Sequence, residues 1–170
     1  MKPPPDVIII RGAPGSGKSE LGKALARHYP HGARVEVDAL RKMVISVNWT
    51  DQAEHIKLLG LAAGTTADFL RLGFRPVIVI DTFSGDKVDG FLVRLREINP
   101  AMDVRLFALH LPEEVLAIRL AQRPAGLFKD FAVAKQLNDD VVKIHPAAEI
   151  RLNSAGPTSP ALAELILGSL

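Results

Sequence analysis

The most informative stretch of this sequence is Gly12-Ala13-Pro14-Gly15-Ser16-Gly17-Lys18-Ser19, which stands one residue after the apolar run Val7–Ile10. It fits the pattern G-x-x-x-x-G-K-[ST], a phosphate-binding loop between a strand and a helix. Glycines let the backbone curl so that its N–H groups point inward, next to the positive end of the following helix. We expect Lys18 to reach the β- and γ-phosphates and the Ser19 hydroxyl to bind Mg²⁺. A glycine-rich turn that only begins a helix is the alternative, but the strand and helix on either side favour a nucleotide site.

Short β-branched runs alternate with longer segments of helical period along the rest of the chain. The pattern predicts strands at 7–11, 34–37, 76–81, 104–110 and 150–153. It predicts helices at 17–28, 39–47, 51–72, 87–98, 113–122, 130–143 and 160–167. Five strands separated by helices indicate an α/β protein whose parallel sheet is covered on both faces. With the loop after the first strand, this order predicts the P-loop NTPase fold, a five-stranded parallel sheet with helices on both faces and a helical lid.

The composition is typical of one domain without a membrane segment or a disulfide framework. The chain has 170 residues, of which 48% are hydrophobic. We expect residues 1–6 to be a disordered, proline-rich lead and residues 7–170 to be a single domain. The apolar runs are far shorter than the roughly 20 residues that span a bilayer, and the start has no signal-peptide core, so we expect a cytoplasmic protein. The absence of cysteine excludes disulfides and thiolate metal sites.

Three further patches contain residues that can take part in catalysis. Asp38 follows a strand-like run, with Arg41 three residues later, and Asp81 closes a fully apolar run. The third patch is the pair Arg119 and Arg123, four residues apart in a predicted helix. Together with the phosphate loop, these patches resemble the kinase domain of the phage-type polynucleotide kinases and their relatives, a group that includes zeta toxins and chloramphenicol phosphotransferase.

The resemblance covers residues 7–145 and implies an ATP-dependent kinase that uses Mg²⁺ and transfers the γ-phosphoryl group to a hydroxyl. The first hypothesis for the acceptor is the 5′-hydroxyl of a polynucleotide. The second is a small molecule such as an antibiotic, a nucleoside or a sugar nucleotide. The net charge of only +2 favours this second hypothesis, because it gives no basic arm of the kind that holds duplex DNA. The third hypothesis is a nucleotide-binding regulatory ATPase that binds a protein partner and transfers nothing.

The resemblance implies that Asp38 acts as general base toward the acceptor hydroxyl and that Arg41 contacts an acceptor phosphate. Phosphoryl transfer needs little covalent assistance, so a carboxylate that orients the hydroxyl and takes its proton, opposite Lys18 and Mg²⁺, agrees with the chemistry. Two alternatives stay open at this point. Asp38 could only cap the helix predicted at 39–47, and Arg41 could be a solvated surface arginine.

Asp81 stands where a carboxylate can hold a Mg²⁺ water or hydrogen-bond Ser19, much as a Walker B acid does. Its alternative is a turn or cap aspartate.

Arg119 and Arg123 put two like charges on one helix face, at a cost of about 0.2–0.5 kcal/mol to the bare helix, which favours a functional reason for them. In the related kinases, arginines of this lid segment clamp the donor phosphates and stabilise the transition state, and residues 125–128 would be the mobile part of the lid. A solvated charged face is the alternative.

Four further observations concern the edges of the predicted site. By position, Asn153 is expected to help cradle adenine. Trp49 and His55 are candidates to stack on an aromatic acceptor, and packing within the connection between two helices is the alternative for Trp49. Phe83 stands where polynucleotide kinases often carry an Asn-rich turn, so the acceptor wall is expected to differ, and the lack of a D-x-D-x-T motif predicts that no 3′-phosphatase is present. The remaining histidines, at 28, 31, 110 and 145, show no ligand spacing and are expected to be structural.

Overall fold

A computed structural model describes residues 3–143, 146 and 148–170; His145, expected to be structural, lies outside them. The strands are β1 Val7–Gly12, β2 Ala33–Glu36, β3 Val77–Asp81, β4 Val104–His110 and β5 Glu149–Asn153. The helices are α1 Lys18–Ala26, α2 Val37–Lys42, α3 Gln52–Arg71, α4 Lys87–Ile98, α5 Glu113–Ala121, α6 Phe131–Lys143 and α7 Ser159–Ser169. None of the helices in the described ranges combines the length and the apolar composition that a membrane-spanning segment needs.

The five described strands lie in one parallel sheet with the order β2-β3-β1-β4-β5. β1 is central, and Arg11 near its end lies opposite Asp81 of β3 and Ala108 of β4. Parallel strands bring their carboxyl ends to the same edge of a sheet. This edge therefore gathers the phosphate loop after β1, Asp81 at the end of β3, and Asp38 just after β2. The predicted α/β fold is confirmed.

Hydrophobic side chains cover the sheet on both faces. On one face, Val7, Ile9 and Val79 pack among the side chains of α3 and α4. On the other face, Ile8 and Ile10 pack among the side chains of α1 and α7. Because both faces are covered, β1 is buried along its whole length. This explains why the strand reads as an almost continuous apolar run instead of alternating apolar and polar residues.

The second helix differs most from the sequence-based prediction. It was expected at 39–47, but α2 spans Val37–Lys42. The five residues that follow, MVISV, include three β-branched side chains, which lose rotamer freedom in a helix and so favour its end. Asp38 consequently lies inside the first turn of α2 and not in front of it. All other predicted bounds lie within two residues of those observed.

The packed domain begins before residue 7. Pro5 is buried. The backbone N–H of Asp6 donates to the carbonyl of Asp103 at 2.9 Å, and the Asp6 carboxylate accepts from Arg75 Nε at 2.8 Å. Pro5 and Asp6 therefore belong to the domain, and the prediction that all of residues 1–6 form a disordered lead is wrong for these two.

Candidate active site

The phosphate loop has the backbone geometry that its glycines predict. Gly15 and Gly17 have φ values of 86° and 91°, in the left-handed region that favours glycine. A Cβ on Gly12 would lie 2.5 Å from Ser16 Oγ and 3.1 Å from the carbonyl of Leu109, so a larger residue does not fit there. Ser16 Oγ is buried and has no hydrogen-bond partner among the described residues. Within the described part of the chain, no side chain caps the start of α1 at Gly17, so the first N–H groups of the helix are available to an anion.

Lys18 lies among charges of both signs. Its Nζ donates to the carbonyl of Ala13 at 3.4 Å, a long contact that leaves the ammonium available to phosphate. Burial lowers the pKa of Lys18 below its ordinary value of 10.5, while the carboxylates of Asp38 and Asp81 raise it and the guanidinium of Arg123 lowers it. None of the described carboxylates forms an ion pair with Nζ. The lysine is therefore near both aspartates without being neutralised by direct contact.

Asp38 is exposed in the first turn of α2. The N-cap of α2 is Glu36, whose side chain makes no capping hydrogen bond, and the Asp38 carboxylate has no hydrogen bond among the described residues. The alternative that Asp38 only caps a helix is therefore wrong for this structure. An exposed carboxylate two residues after the end of β2, unbonded among the described residues, is available to an incoming hydroxyl group.

Asp81 is buried, with 4% of its surface exposed. Its Oδ2 accepts from the N–H of Phe83 at 2.9 Å and lies 3.2 Å from His55 Nε2. Burial alone would raise the pKa of Asp81, but His55, the Phe83 N–H and Lys18 together hold it below the ordinary value of 3.8. The expected hydrogen bond to Ser19 is absent among the described contacts. The contact with the Phe83 N–H agrees instead with the turn aspartate that was the alternative.

Arg41 is not a solvated surface residue. It is 5% exposed, its Nη2 donates to the carbonyl of Asn48 at 3.2 Å, and its guanidinium carbon lies 4.6 Å from the centre of the Trp49 ring. The Nε of Arg41 is buried and has no partner in the ranges that the structure describes. Trp49 remains 45% exposed on the outer side of this stack, so it is not a buried packing residue.

His55 is buried against Asp81, so the expectation that it stacks on an acceptor is wrong.

Arg119 of α5 and Arg123, which lies two residues beyond the end of that helix, both interact with the phosphate loop. Arg119 donates to the carbonyls of Ser154 at 2.5 Å and Ser16 at 3.4 Å, which ties α5 to the loop and to the connection between β5 and α7. Arg123 donates to the carbonyl of Phe128 at 2.7 Å and is near enough to the loop lysine to lower the pKa of its ammonium. The pair therefore does not form a freely solvated face.

A cleft of about 250 Å³ lies beside the loop, between Arg119 and the connection that includes Ser154 and Pro157. Asn153 does not line it. Its Oδ1 accepts from the N–H of Ala155 at 2.9 Å and so shapes the turn behind the cleft. A second cleft of about 340 Å³ lies at the start of β2, at the opposite edge of the sheet from the charged groups.

The oxygen donors near the loop fit a magnesium ion that arrives with phosphates. The described residues contain no group of three or more acidic or histidine side chains that could hold a metal alone. Mg²⁺ in phosphate sites needs only one or two protein oxygens, because phosphates and water fill the other positions. The Ser19 hydroxyl has no described hydrogen bond, and both contacts of Asp81 use Oδ2 and leave Oδ1 available.

The sequence analysis missed a buried ion pair at the end of β1. Arg11 and Glu149 have fully buried side chains, and two bonds of 2.5 and 2.9 Å join them. Arg11 also donates to the carbonyls of Phe83 at 3.1 Å and Val141 at 3.4 Å. The available signal was an arginine that ends an apolar strand, because a charge buried in a sheet needs partners.

Phe83 is the one described residue other than glycine with a positive φ, at 45°. It is fully buried, and its ring lies 5.1 Å from that of Phe91. Such a conformation costs about 1–3 kcal/mol and persists where surrounding contacts enforce it. The turn after β3 is therefore a strained segment next to Asp81.

The loop geometry, the sheet order and the charged carboxyl edge define a P-loop nucleotide-binding protein of the α/β class. The family profile described as AAA domain, AAA_33, matches residues 7–141. The match covers well over half of the chain, and the protein belongs to this family. No curated protein sequence matches the chain.

Several solved structures share the fold. The tunicamycin resistance protein of Deinococcus radiodurans has a TM-score of 0.74 at 20% identity, over 98% of this chain and 95% of that chain. A sugar kinase from a Janibacter species has a TM-score of 0.73 at 22% identity, over 97% and 94%. A chain of the Pnkp1/Rnl/Hen1 RNA repair complex has a TM-score of 0.69 at 21% identity, over 84% of this chain and 45% of that chain. The resemblance to P-loop kinases is confirmed at the level of the fold.

Proposed function

We propose that the protein is an ATP-dependent kinase that transfers the γ-phosphoryl group to a hydroxyl group. The charges around Lys18 are the main support for this proposal. Burial lowers the pKa of Lys18, the carboxylates of Asp38 and Asp81 raise it, and the guanidinium of Arg123 lowers it. A phosphate-loop lysine near one exposed and one buried carboxylate, with an arginine from the segment after α5, is a charge arrangement expected of a phosphoryl-transfer site. The similarity to a sugar kinase supports the reaction class and leaves the acceptor open.

On the donor side of this proposal, the polyphosphate of ATP lies in the loop of residues 12–19 and the nucleoside enters the cleft next to Ser154. The loop N–H groups and Lys18 bind the phosphates. Mg²⁺, with Ser19 and Asp81 as its protein ligands, neutralises phosphate charge when it is bound. Asn153 contributes by shaping the turn that bounds the cleft.

On the acceptor side, Asp38 orients the hydroxyl and takes its proton. The hydroxyl oxygen bonds to the γ-phosphorus while the bond from that phosphorus to the β–γ bridging oxygen breaks, and ADP leaves with the bridging oxygen. Arg119 and Arg123 stabilise the negative charge on the transferred group. Such stabilisation acts on charge that develops during transfer, so the arginines serve the rate more than the affinity for ATP.

The first acceptor that we propose is the 5′-hydroxyl of a polynucleotide. Its support is the likeness to a chain of an RNA repair complex and the buried Arg41, whose unpartnered Nε suits a phosphate next to the reacting hydroxyl. A small-molecule acceptor is the second candidate. The chain spans 95% of the tunicamycin resistance protein and 94% of the sugar kinase, so it matches them in size as well as in fold. We include a cytoplasmic location in the proposal, as the sequence predicts.

The direct test is transfer of label from γ-labelled ATP to a panel of 5′-hydroxyl oligonucleotides, nucleosides, sugars and antibiotics. Label on any hydroxyl supports a kinase, and the labelled compound identifies its acceptor class. Release of labelled inorganic phosphate with no labelled acceptor would support the regulatory ATPase instead. A Lys18→Ala protein processed in parallel controls for contaminating kinases, because it should give no label at all.

A further inference from the structure

Arg11 and Glu149 form a buried unit to which the proposed chemistry gives no role. Neither side chain is exposed. The guanidinium of Arg11 contacts the Glu149 carboxylate twice, and it also donates to the carbonyls of Phe83 and Val141. Val141 lies in the last turn of α6, where carbonyls lack partners within the helix. Arg11 thus joins the strand before the phosphate loop to the turn after β3, to α6 and to β5.

Both backbone groups of Phe83 are held by charged side chains. Its N–H donates to Asp81 Oδ2 at 2.9 Å, and its carbonyl accepts from Arg11 Nη1 at 3.1 Å. Phe83 also has the strained φ of 45°. Without Arg11, the carbonyl would be a buried acceptor that lacks this donor, and the residue would be able to relax toward an ordinary conformation. Relaxation would withdraw the N–H that fixes the carboxylate of Asp81.

We propose that Arg11 and Glu149 are a positioning pair that fixes the orientation of the Asp81 carboxylate relative to the phosphate loop. Glu149 holds the guanidinium by two bonds, and the guanidinium holds Phe83 in the conformation whose N–H orients Asp81. Arg11 also directly precedes Gly12 and lies opposite Asp81 in the sheet register, so the loop and the carboxylate share one anchor. This inference rests on the proposed kinase function for its consequence for the rate, but its structural part is independent of that function.

The chain offers a matched control for a purely structural role. Arg151 donates to the carbonyl of Val142 at 3.0 Å and therefore stabilises the same end of α6 as Arg11 does. It is exposed and makes no described contact with Phe83. If the only role of Arg11 were to stabilise α6, Arg151→Met and a variant of Arg11 would have similar effects on the site.

The principal test replaces the pair by apolar residues in the double variant Arg11→Met/Glu149→Met. Exchanging a buried ion pair for well-packed apolar side chains is often neutral for stability, whereas removing one partner leaves a buried charge. We expect the double variant to fold with a melting temperature close to that of the wild type. Residue-resolved amide exchange should show loss of protection at Phe83, and the kcat of transfer should fall by about 10- to 100-fold, the range for a reacting group displaced by 1 Å or less.

A second variant keeps a positive charge at the same place. Arg11→Lys can pair with Glu149, but an ammonium lacks the planar fork that reaches Glu149 and Phe83 together. We expect it to remain folded and to show the same loss of protection at Phe83, together with a lower kcat and a smaller change in the KM for ATP. Arg151→Met should leave both readouts at the wild-type level.

The inference is overturned if either folded variant of Arg11 keeps wild-type protection at Phe83. It is also overturned if Phe83 loses protection while transfer stays at the wild-type rate, or if Arg151→Met has the same effects as the Arg11 variants. If the wild-type protein itself labels no acceptor, the proposed kinase function has failed, and exchange at Phe83 still decides whether the pair holds the turn.

Discussion

Burial lowers the pKa of Lys18 below its ordinary value. The carboxylates of Asp38 and Asp81 oppose that shift, although neither contacts the lysine directly. In the proposed function, bound phosphates take over the neutralising role, so we expect the charge of Lys18 to serve ligand binding and not packing. Removal of Lys18 should therefore change ligand binding with little effect on folding.

Lys18→Ala should abolish stabilisation by Mg-ATP and leave the melting temperature of the free protein almost unchanged. For the wild type, ligand at a hundredfold excess over Kd adds about 2.7 kcal/mol, which corresponds to roughly 5–11 °C for a chain of this size. Thermal shift with and without Mg-ATP measures the difference. Lys57→Ala, on the exposed side of α3, is the control. Equal stabilisation of Lys18→Ala and wild type would mean that the loop does not bind phosphate through this lysine.

His55→Asn should destabilise the fold, because it removes the imidazole that lies 3.2 Å from the buried Asp81 carboxylate. We expect a loss of about 1–3 kcal/mol in the free energy of unfolding at pH 7. Since the pKa of Asp81 is held below 3.8, its stabilising contribution is present above that pH and is lost as the pH falls through the lowered value. The difference between variant and wild type should therefore shrink at acid pH.

Urea unfolding across this pH range provides the measurement. The control is His28→Asn, because His28 lies 3.7 Å from Glu164 in an exposed pair that should contribute almost nothing. Equal losses for His55→Asn and His28→Asn would show that the contact between His55 and Asp81 has no particular importance.

Single residues also mark the limit of what the sequence could predict. The phosphate loop can be predicted from the sequence because one continuous motif contains all of its residues. The ion pair of Arg11 and Glu149 cannot be predicted in this way, because the two residues are 138 positions apart and lie on strands that are separated by β4. Their pairing depends on the order and register of the strands, which the local sequence does not determine.

At the scale of elements, periodicity predicts the bounds of the longer helices well and those of the shortest helix, α2, poorly. α3, with 20 residues, was expected within one residue at each end, because its apolar positions repeat over several turns. α2 has only six residues, too few for such a repeat to define its end. The error moved Asp38 from the front of the helix into its first turn, which changed the interpretation of that carboxylate.

Arg119 of α5 and Arg123, two residues beyond its end, are the arginines that we expect to act on the transferred phosphoryl group. Arg119→Ala and Arg123→Ala should each lower kcat by a larger factor than they raise the Kd for ATP, because the charge they stabilise develops during transfer. Arg119→Ala should also lower the free energy of unfolding, since Arg119 joins the loop to the connection after β5. Steady-state kinetics combined with calorimetric ATP titration separate the two effects. A pure rise in the KM for ATP would assign the arginines to ground-state binding, and Arg96→Ala on α4 is the control.

At the scale of the whole molecule, the site and the hydrophobic layers occupy different parts of the sheet. Apolar side chains cover its two faces, while the phosphate loop, Asp38 and Asp81 meet at one edge. Ligands of open α/β sheets bind at this carboxyl edge. The arrangement allows substitutions at the edge to be interpreted as changes of chemistry, because the layers that stabilise the fold are not disturbed.

The most direct test of the kinase function is the rate of γ-phosphoryl transfer by Asp38→Asn, measured with the acceptor that the labelled panel identifies. The substitution keeps the size of the side chain and removes the base, so transfer should fall by about 10²- to 10⁴-fold while ATP binding and melting temperature stay close to the wild type. Asp89→Asn is the matched control, since Asp89 is also an exposed aspartate in the first turn of a helix. Transfer by Asp38→Asn at the wild-type rate would contradict the proposal that this carboxylate activates a hydroxyl acceptor.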